Sequence, residues 1–311
     1  MSTNPDISGM IPILKPRGMT SKDVSRILLR RFGRLKIGHV GTLDPDADGV
    51  LPILIGRGTK LQDYLLDLDK AYSFDLKLGE STTTLDATGE TTKVMPWPHV
   101  NVGQISKVLQ NFMGTIVQVP PLYSAVKYQG KELYKYAHKG QSAKDIPLEE
   151  LQRRVVIKDI TVDRLDLPFI SMTVFCGKGT YVRTLAADIA EALGTVGHVT
   201  RLSRIKSAGM SLSDCLTIEQ AVSPARSLES LVVSMDKLSI GLSTWVPSDM
   251  VLLRRITDGQ RVIVTGLACN TSRTGERFEI LMKNFDGASV GIVDVEPLVD
   301  GAYKLHLKRG L

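Results

Sequence analysis

The stretch Gly38-His39-Val40-Gly41-Thr42-Leu43-Asp44-Pro45-Asp46-Ala47-Asp48-Gly49 packs three carboxylates, one histidine and three glycines into twelve residues. Asp44 precedes Pro45, which biases it to extended geometry. An aspartate held extended, in a loop that leads into an apolar strand, can project into a cleft. Two other readings of the same residues stay open. The aspartates can bond their own backbone in a turn. Alternatively, Asp44-x-Asp46-x-Asp48-Gly49 matches the opening of a calcium loop, but the twelfth position is Ile55 rather than glutamate, and the exiting segment is strand-like.

A second kind of chemistry lies in the cations. Lys22, Arg26 and Arg30 fall at i, i+4 and i+8, and Arg31, Arg34 and Lys36 extend the stripe with only Asp23 opposed. Solvated helix faces usually alternate in sign, so a nearly pure basic stripe suits phosphate contact. Lys127, Lys131, Lys135 and Lys139 recur every fourth residue among Tyr128, Tyr134 and Tyr136. A helix would put those lysines on one side, although Gly130 interrupts it.

The elements that must position these groups are legible in outline. A helix is expected over Thr20–Phe32, with Thr20 or Ser21 as its cap. An apolar strand covers 50–55, and Tyr72–Leu78 alternates as a strand should. Helices are expected from Asn101 to Gly114 and through Leu185, Ile189 and Leu193. Strands are expected over Val155–Val162 and Phe169–Phe175, followed by a helical connector at 217–235. Residues 248–311 read as short strands with Gly and Asn-Asp turns, suggesting a small β unit.

Composition sets the outer limits. The chain has 311 residues, 43% hydrophobic, which suits two folded domains rather than disorder. Its net charge of +6 suits a polyanionic partner without proving one. The apolar run Val50–Ile55 is far too short to span a bilayer. Met1–Gly9 is polar, so no secretory leader is expected. Cys176, Cys215 and Cys269 form no C-x-x-C pair, which disfavours zinc and disulfides and points to a reducing, cytoplasmic setting.

His39-Val40-Gly41-Thr42-Leu43-Asp44-Pro45, with Gly49-Val50-Leu51-Pro52 and Gly58-Thr59-Lys60, resembles the catalytic signature of the TruB family of tRNA pseudouridine synthases. Further similar motifs follow the family's order. They are Lys15-Pro16-Arg17-Gly18-Met19-Thr20-Ser21; Asp69-Lys70-Ala71-Tyr72 with Leu78-Gly79; Pro120 to Lys127 with Gly130 to Ala137; Gly179 to Leu185 with Asp188; and His198-Val199 to Leu202. The resemblance spans about residues 10–210. Departures are Asp46 and Asp48, where an apolar and a small residue are common, Thr82-Thr83-Thr84 in place of Thr-Asp-Thr, and His138 and Ser203 in place of arginines.

The resemblance implies an α+β fold, a mixed and largely antiparallel sheet flanked by helices, with a small PUA-like β domain at the C-terminal end. It implies a catalytic domain over 1–245, an RNA-clamping insertion at about 125–151, and an RNA-binding β domain over 246–311. The reaction implied is conversion of uridine 55 in the T arm of tRNA to pseudouridine, the base being flipped out of its stack. It needs no cofactor and no metal, and neither a Walker A nor a dinucleotide motif occurs. No obligatory protein partner and no membrane are implied, and the enzyme is expected to act as a monomer.

By that resemblance Asp44 is the catalytic carboxylate. Two further carboxylates within four residues oppose its ionisation, so a cation must offset them. The family pattern supplies Arg183, which also stands at the start of a helix, where a cation meets the unfavourable end of the dipole and needs a carboxylate partner. Tyr72 is implied to stack on the base and to remove the C5 proton, and Tyr181 to orient Asp44. Leu202 would line the pocket and His39 would fill the gap left in the RNA. Lys60, Lys15 and Lys127 are implied near the substrate, Lys15 with a structural part to play.

Overall fold

A computed structural model describes residues 7–33, 35–137, 139, 145–267 and 276–311. Strand β1 (Gly9–Lys15) leads to helix α1 (Ser21–Phe32), then to β2 (Ile37–His39) and β3 (Asp48–Ile55). A 3₁₀ turn and α2 (Gln62–Asp67) precede β4 (Lys70–Leu78), the small pair β5 (Glu80–Thr82) and β6 (Thr91–Val94), α3 (Val102–Gln110) and β7 (Gly114–Gln118). The hairpin of β8 (Lys127–Tyr128) and β9 (Lys131–Glu132) precedes α4 (Leu133–Ala137), β10 (Arg153–Asp166), β11 (Phe169–Cys176), α5 (Val182–Ala192) and β12 (Gly197–Ser207). Next come β13 (Met210–Ser211), α6 (Ile218–Val222), α7 (Leu228–Leu231) and β14 (Val233–Ser234). Last are β15 (Ser243–Trp245), α8 (Met250–Thr257), β16 (Val262–Thr265), β17 (Phe278–Lys283), β18 (Ser289–Pro297) and β19 (Ala302–Gly310).

Ten strands form one sheet in the order β14-β1-β3-β12-β4-β11-β10-β7, with β2 on β3 and β13 on β12. Its pairings are antiparallel except β12 with β3. The sheet is buried on both sides at β3, which is why Val50–Ile55 is continuously apolar instead of alternating. One side packs Ile11, Ile13, Leu51 and Ile53 against Val24 and Leu28 of α1. Farther along, Phe74, Leu76, Met172 and Val174 meet Leu185 and Ile189 of α5. A second sheet, β15-β17-β18-β19-β16, makes the C-terminal β domain around Trp245, Ile280, Val293 and Leu305. Another apolar cluster joins the two sheets: Val40, Leu54, Leu61 and Leu65 pack with Leu281, Ile292 and Leu311.

Some local expectations change. Thr20 is the cap of α1, accepting from the Asp23 N–H at 3.1 Å, while Ser21 is the first helical residue and faces inward. The connector at 217–235 is not one helix but two short ones and a strand on β1. The C-terminal domain contains α8, which strand rhythm alone did not reveal; Asp249 caps it and Leu253 and Ile256 bury its inner side. The lysines from 127 to 139 do not share a helix, because Gly130 sits at a positive φ of 79° in a tight hairpin turn. Lys127 and Lys131 therefore lie on strands, Lys135 lies on α4, and Lys139 follows it. His138, Arg34 and Cys269 lie outside the described residues.

Candidate active site

Asp44 sits in the loop between β2 and β3, and donors from the β1–α1 segment hold the residues on both sides of it. The Ser21 hydroxyl accepts from the Leu43 N–H at 2.9 Å and donates to the Leu43 carbonyl at 3.1 Å. The Pro45 carbonyl accepts from the Gly18 N–H at 2.8 Å and from Lys15 Nζ at 3.2 Å. Lys15 is fully buried, and it also donates to Pro16 and Met19 carbonyls. Burial pushes its ammonium down to about 8, with Asp48 and Asp44 pulling the other way.

Arg183, 7% exposed in its side chain, stands 2.9 Å from the Asp44 carboxylate. Its other side faces Asp86 at 3.4 Å, and it donates to the Thr84 carbonyl at 2.7 Å and the Tyr123 carbonyl at 2.9 Å. The position one residue inside the start of α5 is poor for a cation, and two carboxylates and two carbonyls compensate it. Asp86 was not among the residues singled out in the sequence. Its signal was local: its carboxylate accepts the Thr88 N–H at 3.0 Å, the turn expected of Asp-Ala-Thr-Gly.

Tyr72 is buried in β4, opposite Val174 of β11 and Arg204 of β12. Burial holds its phenol above the ordinary range. Tyr181 immediately precedes α5; its N–H donates to the Gln118 side-chain oxygen at 3.0 Å and its carbonyl accepts from the same amide at 3.2 Å. The Arg153 guanidinium lies 5.6 Å from the Tyr181 ring centroid. Burial raises the Tyr181 phenol as well. His39 ends β2, half-buried, with Nε2 3.2 Å from the Thr42 hydroxyl. Burial, then Arg204 and Lys22, lower its pKa.

Leu202 and Thr200 of β12 border a hollow with Asp44, Asp46, Asp86 and Arg183. Its volume is about 10 Å³, room for a single water at most. Tyr72 and Tyr181 do not border it. Asp46 at its mouth is ion-paired with Arg17 at 2.7 Å, and Arg201 beside it with Asp75 at 2.8 Å. A wider cleft of about 530 Å³ lies on the C-terminal sheet, bordered by Arg261, Arg277 and His306, and holds none of the motif residues.

Other expected residues lie away from the hollow. Lys60 donates to the Gly310 carbonyl, and its own carbonyl accepts from Arg309, so it belongs to the seam between the two sheets. Lys127 is exposed on the β8–β9 hairpin, opposite Glu132. Arg31 leaves the basic stripe of α1 and donates to the Val222 carbonyl at 3.0 Å, near the end of α6, whereas Lys22, Arg26 and Arg30 remain exposed.

Comparison with known proteins adds independent findings. The profile of the TruB family pseudouridylate synthase N-terminal domain matches residues 29–182, and that of the tRNA pseudouridylate synthase B C-terminal domain matches 183–238. tRNA pseudouridine synthase B of Staphylococcus aureus strain JH9 is 42% identical over 265 residues, covering 82% of this chain and 85% of that protein. The counterpart of strain bovine RF122 / ET3-1 is also 42% identical, over 266 residues. Among solved structures, a Cbf5-Nop10-Gar1 complex aligns with a TM-score of 0.74 at 22% identity, covering 97% of this chain and 84% of that one. An H/ACA RNP bound to a substrate RNA containing 2'-deoxyuridine aligns with a TM-score of 0.72 at 20% identity, with the same coverage. These structural likenesses speak for the fold.

Proposed function

This chain belongs to the TruB family of pseudouridylate synthases, and from that premise we propose that it converts uridine 55 in the T arm of tRNA to pseudouridine with Asp44 as its catalytic carboxylate. The observation that carries the reading is the buried Arg183 guanidinium 2.9 Å from Asp44, in a loop whose neighbouring residues are fixed on both sides. A positive charge held at that distance in a partly dry site is the arrangement that a carboxylate base or nucleophile requires.

The reaction is an isomerisation. Uracil leaves C1′, turns, and rejoins through C5; C5 gives up its proton and N1 gains one, so nothing is oxidised or hydrolysed. Asp44 acts at the sugar–base bond, and Tyr72 stacks on the base and takes the C5 proton. Tyr181 orients Asp44, Leu202 walls the base, and His39 fills the gap in the RNA. The hollow of about 10 Å³ is too small for a uracil, so binding must part its walls. Arg17–Asp46 is the more exposed of the two ion pairs at the hollow, Arg201–Asp75 being half-buried, so opening costs least on the Arg17 side, since exposed ion pairs are worth about 1 kcal/mol or less.

Exposed Lys22, Arg26, Arg30, Lys127 and Lys131 form the phosphate-contacting surface, with Lys15 holding the loop. Residues 1–245 act as the catalytic domain, about 125–151 as the RNA clamp, and 246–311 as the PUA-like RNA-binding domain. The enzyme works as a monomer, in the cytoplasm, with no cofactor or metal. Among the described residues no helix is long and apolar enough to cross a membrane.

An alternative is an RNA-folding module with vestigial catalysis, motivated by the two extra aspartates. The Asp46–Arg17 pair weighs against it, because one of those charges is already compensated. Tritium release from C5-labelled uridine in tRNA separates the two. The wild type is expected to turn over, and Asp44→Asn to lose on the order of 10⁴-fold in rate while still binding RNA. Undiminished release from Asp44→Asn would refute the assignment.

A further inference from the structure

Gln118 and Arg153 stand opposite each other at the edge of the large sheet: Gln118 ends β7 and Arg153 begins β10. The segment between them, 119–152, carries the hairpin of β8 and β9. Both side chains turn to Tyr181. Gln118 is 1% exposed, and burying a primary amide costs free energy unless it is hydrogen-bonded. Here both ends of the amide are spent on one residue. Its oxygen accepts from the Tyr181 N–H at 3.0 Å, and its nitrogen donates to the Tyr181 carbonyl at 3.2 Å. That carbonyl already accepts the first bond of α5, from the Leu185 N–H at 2.9 Å, so the helix does not need this second donor. Tyr181 is the N-cap of α5 and supplies no side-chain cap of its own; its main chain is held from outside.

Arg153 takes the other end of the same residue. Its guanidinium lies 5.6 Å from the Tyr181 ring centroid, within the range of a cation–π contact. Its Nε is buried without a hydrogen-bond partner, and among the described residues no carboxylate pairs with it. Asp44 and Asp86, the carboxylates of the site, are committed to Arg183. A part-buried guanidinium without an anion is costly, and the ring is what this one gains. Its stem runs beside Gly179, where a Cβ would lie 3.7 Å from Arg153 Cδ. Gly179 has a positive φ of 80°, which turns the loop 177–181 back towards α5.

We propose that Gln118 and Arg153 are positioning residues for Tyr181, the amide fixing its main chain and the guanidinium its ring, so that the tyrosine meets Asp44 in one orientation. The inference rests on the reading of Tyr181 given above. Neither residue borders the hollow beside Asp44, so they act on the reaction through the tyrosine and not on the base. The chain just beyond Gln118 leans on the first turn of α5 as well. The Val119 carbonyl accepts from the Thr184 hydroxyl at 3.4 Å, and the Tyr123 carbonyl accepts from Arg183. The place where 119–152 leaves the sheet and the place where it returns thus both grip one tyrosine of the site.

The test is a double-mutant cycle in the full chain, read as the single-turnover rate at saturating tRNA with Kd measured alongside. Tyr181→Phe, which removes only the hydroxyl, sets the reference loss. Gln118→Met keeps the length of the side chain and breaks both bonds; it is expected to lower the saturated rate about tenfold, with Kd within about twofold of wild type. Added to Tyr181→Phe, it should cost less than about twofold more, since both changes remove the same placement. Arg153→Met should follow the same pattern with a smaller loss, about threefold. Losses that multiply in the combined variants overturn the proposal, because a residue that only props the fold harms both backgrounds equally. A raised Kd with an intact saturated rate also overturns it, being the mark of a direct RNA contact. Should Gln118→Met fail to fold, Gln118→Glu decides, since its carboxylate still accepts from the Tyr181 N–H but cannot donate to the carbonyl. A loss that disappears in the Tyr181→Phe background supports the proposal, and an unchanged or multiplying one overturns it. If Tyr181→Phe itself keeps the full rate, the reading of Tyr181 falls first and this inference with it.

Discussion

The loop around Asp44 and the hairpin around Lys127 are both turn-rich, charged and drawn from the same set of motifs, yet the chain treats them in opposite ways. The first is pinned. Buried Lys15 and Arg204 give donors to backbone carbonyls in or beside it, and buried Arg183 pairs with Asp44 itself. The second is nearly free of such contacts, and Lys127, Lys131 and Lys139 face solvent. The difference follows from what each must meet. A reacting carbon has to be approached within tenths of an ångström, so its carboxylate is held by groups that are themselves immobile. A phosphate backbone can be met by long side chains that adjust, and the charges give affinity without fixed geometry.

The largest effect should come from breaking the pinned side. Arg183→Met leaves Asp44 and the mostly buried Asp86 without their shared cation. Turnover should fall on the order of 10²–10³-fold, with a loss of about 3 kcal/mol in urea unfolding. A variant with wild-type kinetics would erase the contrast between the two regions. On the free side, Lys127→Ala together with Lys131→Ala should weaken tRNA binding about tenfold. It should also flatten the slope of log affinity against log salt by nearly 2, with the melting temperature and the saturated single-turnover rate unchanged. A lowered saturated rate would mean that the hairpin also places the substrate.

The smallest effect sharpens the rule that buried charges need partners. Asp188 lies on the same helix as Arg183, but among the described residues it has no ion-pair partner. Burial, with a smaller push from Glu191, raises its carboxyl to about 6. The folded state thus holds this proton more tightly than the unfolded chain does. The stabilising contribution is complete below pH 4 and is lost as pH rises through 6. Asp188→Asn should therefore be more stable than wild type at pH 7.5, by about 1 kcal/mol after allowing for its partial exposure, and indistinguishable near pH 4. Thermal melts at the two pH values check the sign.

Much of this was legible in the residues. Thr20 capping, the apolar run of β3 and the alternation of β4 follow from local pattern, and the ordered motifs led to the family. The arginine at the start of α5 announced that it needed a carboxylate. What the pattern could not show was long-range. Asp86 meets Arg183 only because the turn after β5 folds back over β12, where the Ala87 N–H donates to the Val199 carbonyl at 3.0 Å. Arg204 sits in an unremarkable strand sequence, and its burial depends on three neighbouring strands arriving around it. Lys60 reads as a site residue by motif, yet the C-terminal strand captures its ammonium, a contact 250 positions away.

The apolar seam between the sheets has a practical consequence for anyone cutting the gene. Val40, the immediate neighbour of His39, belongs to an apolar cluster that Leu281 and Ile292 from the far end of the chain help to complete. A shortened protein ending near residue 245 would wet the underside of its own reaction centre. Swapping the tail between relatives would in turn transplant part of the foundation on which the aspartate loop stands.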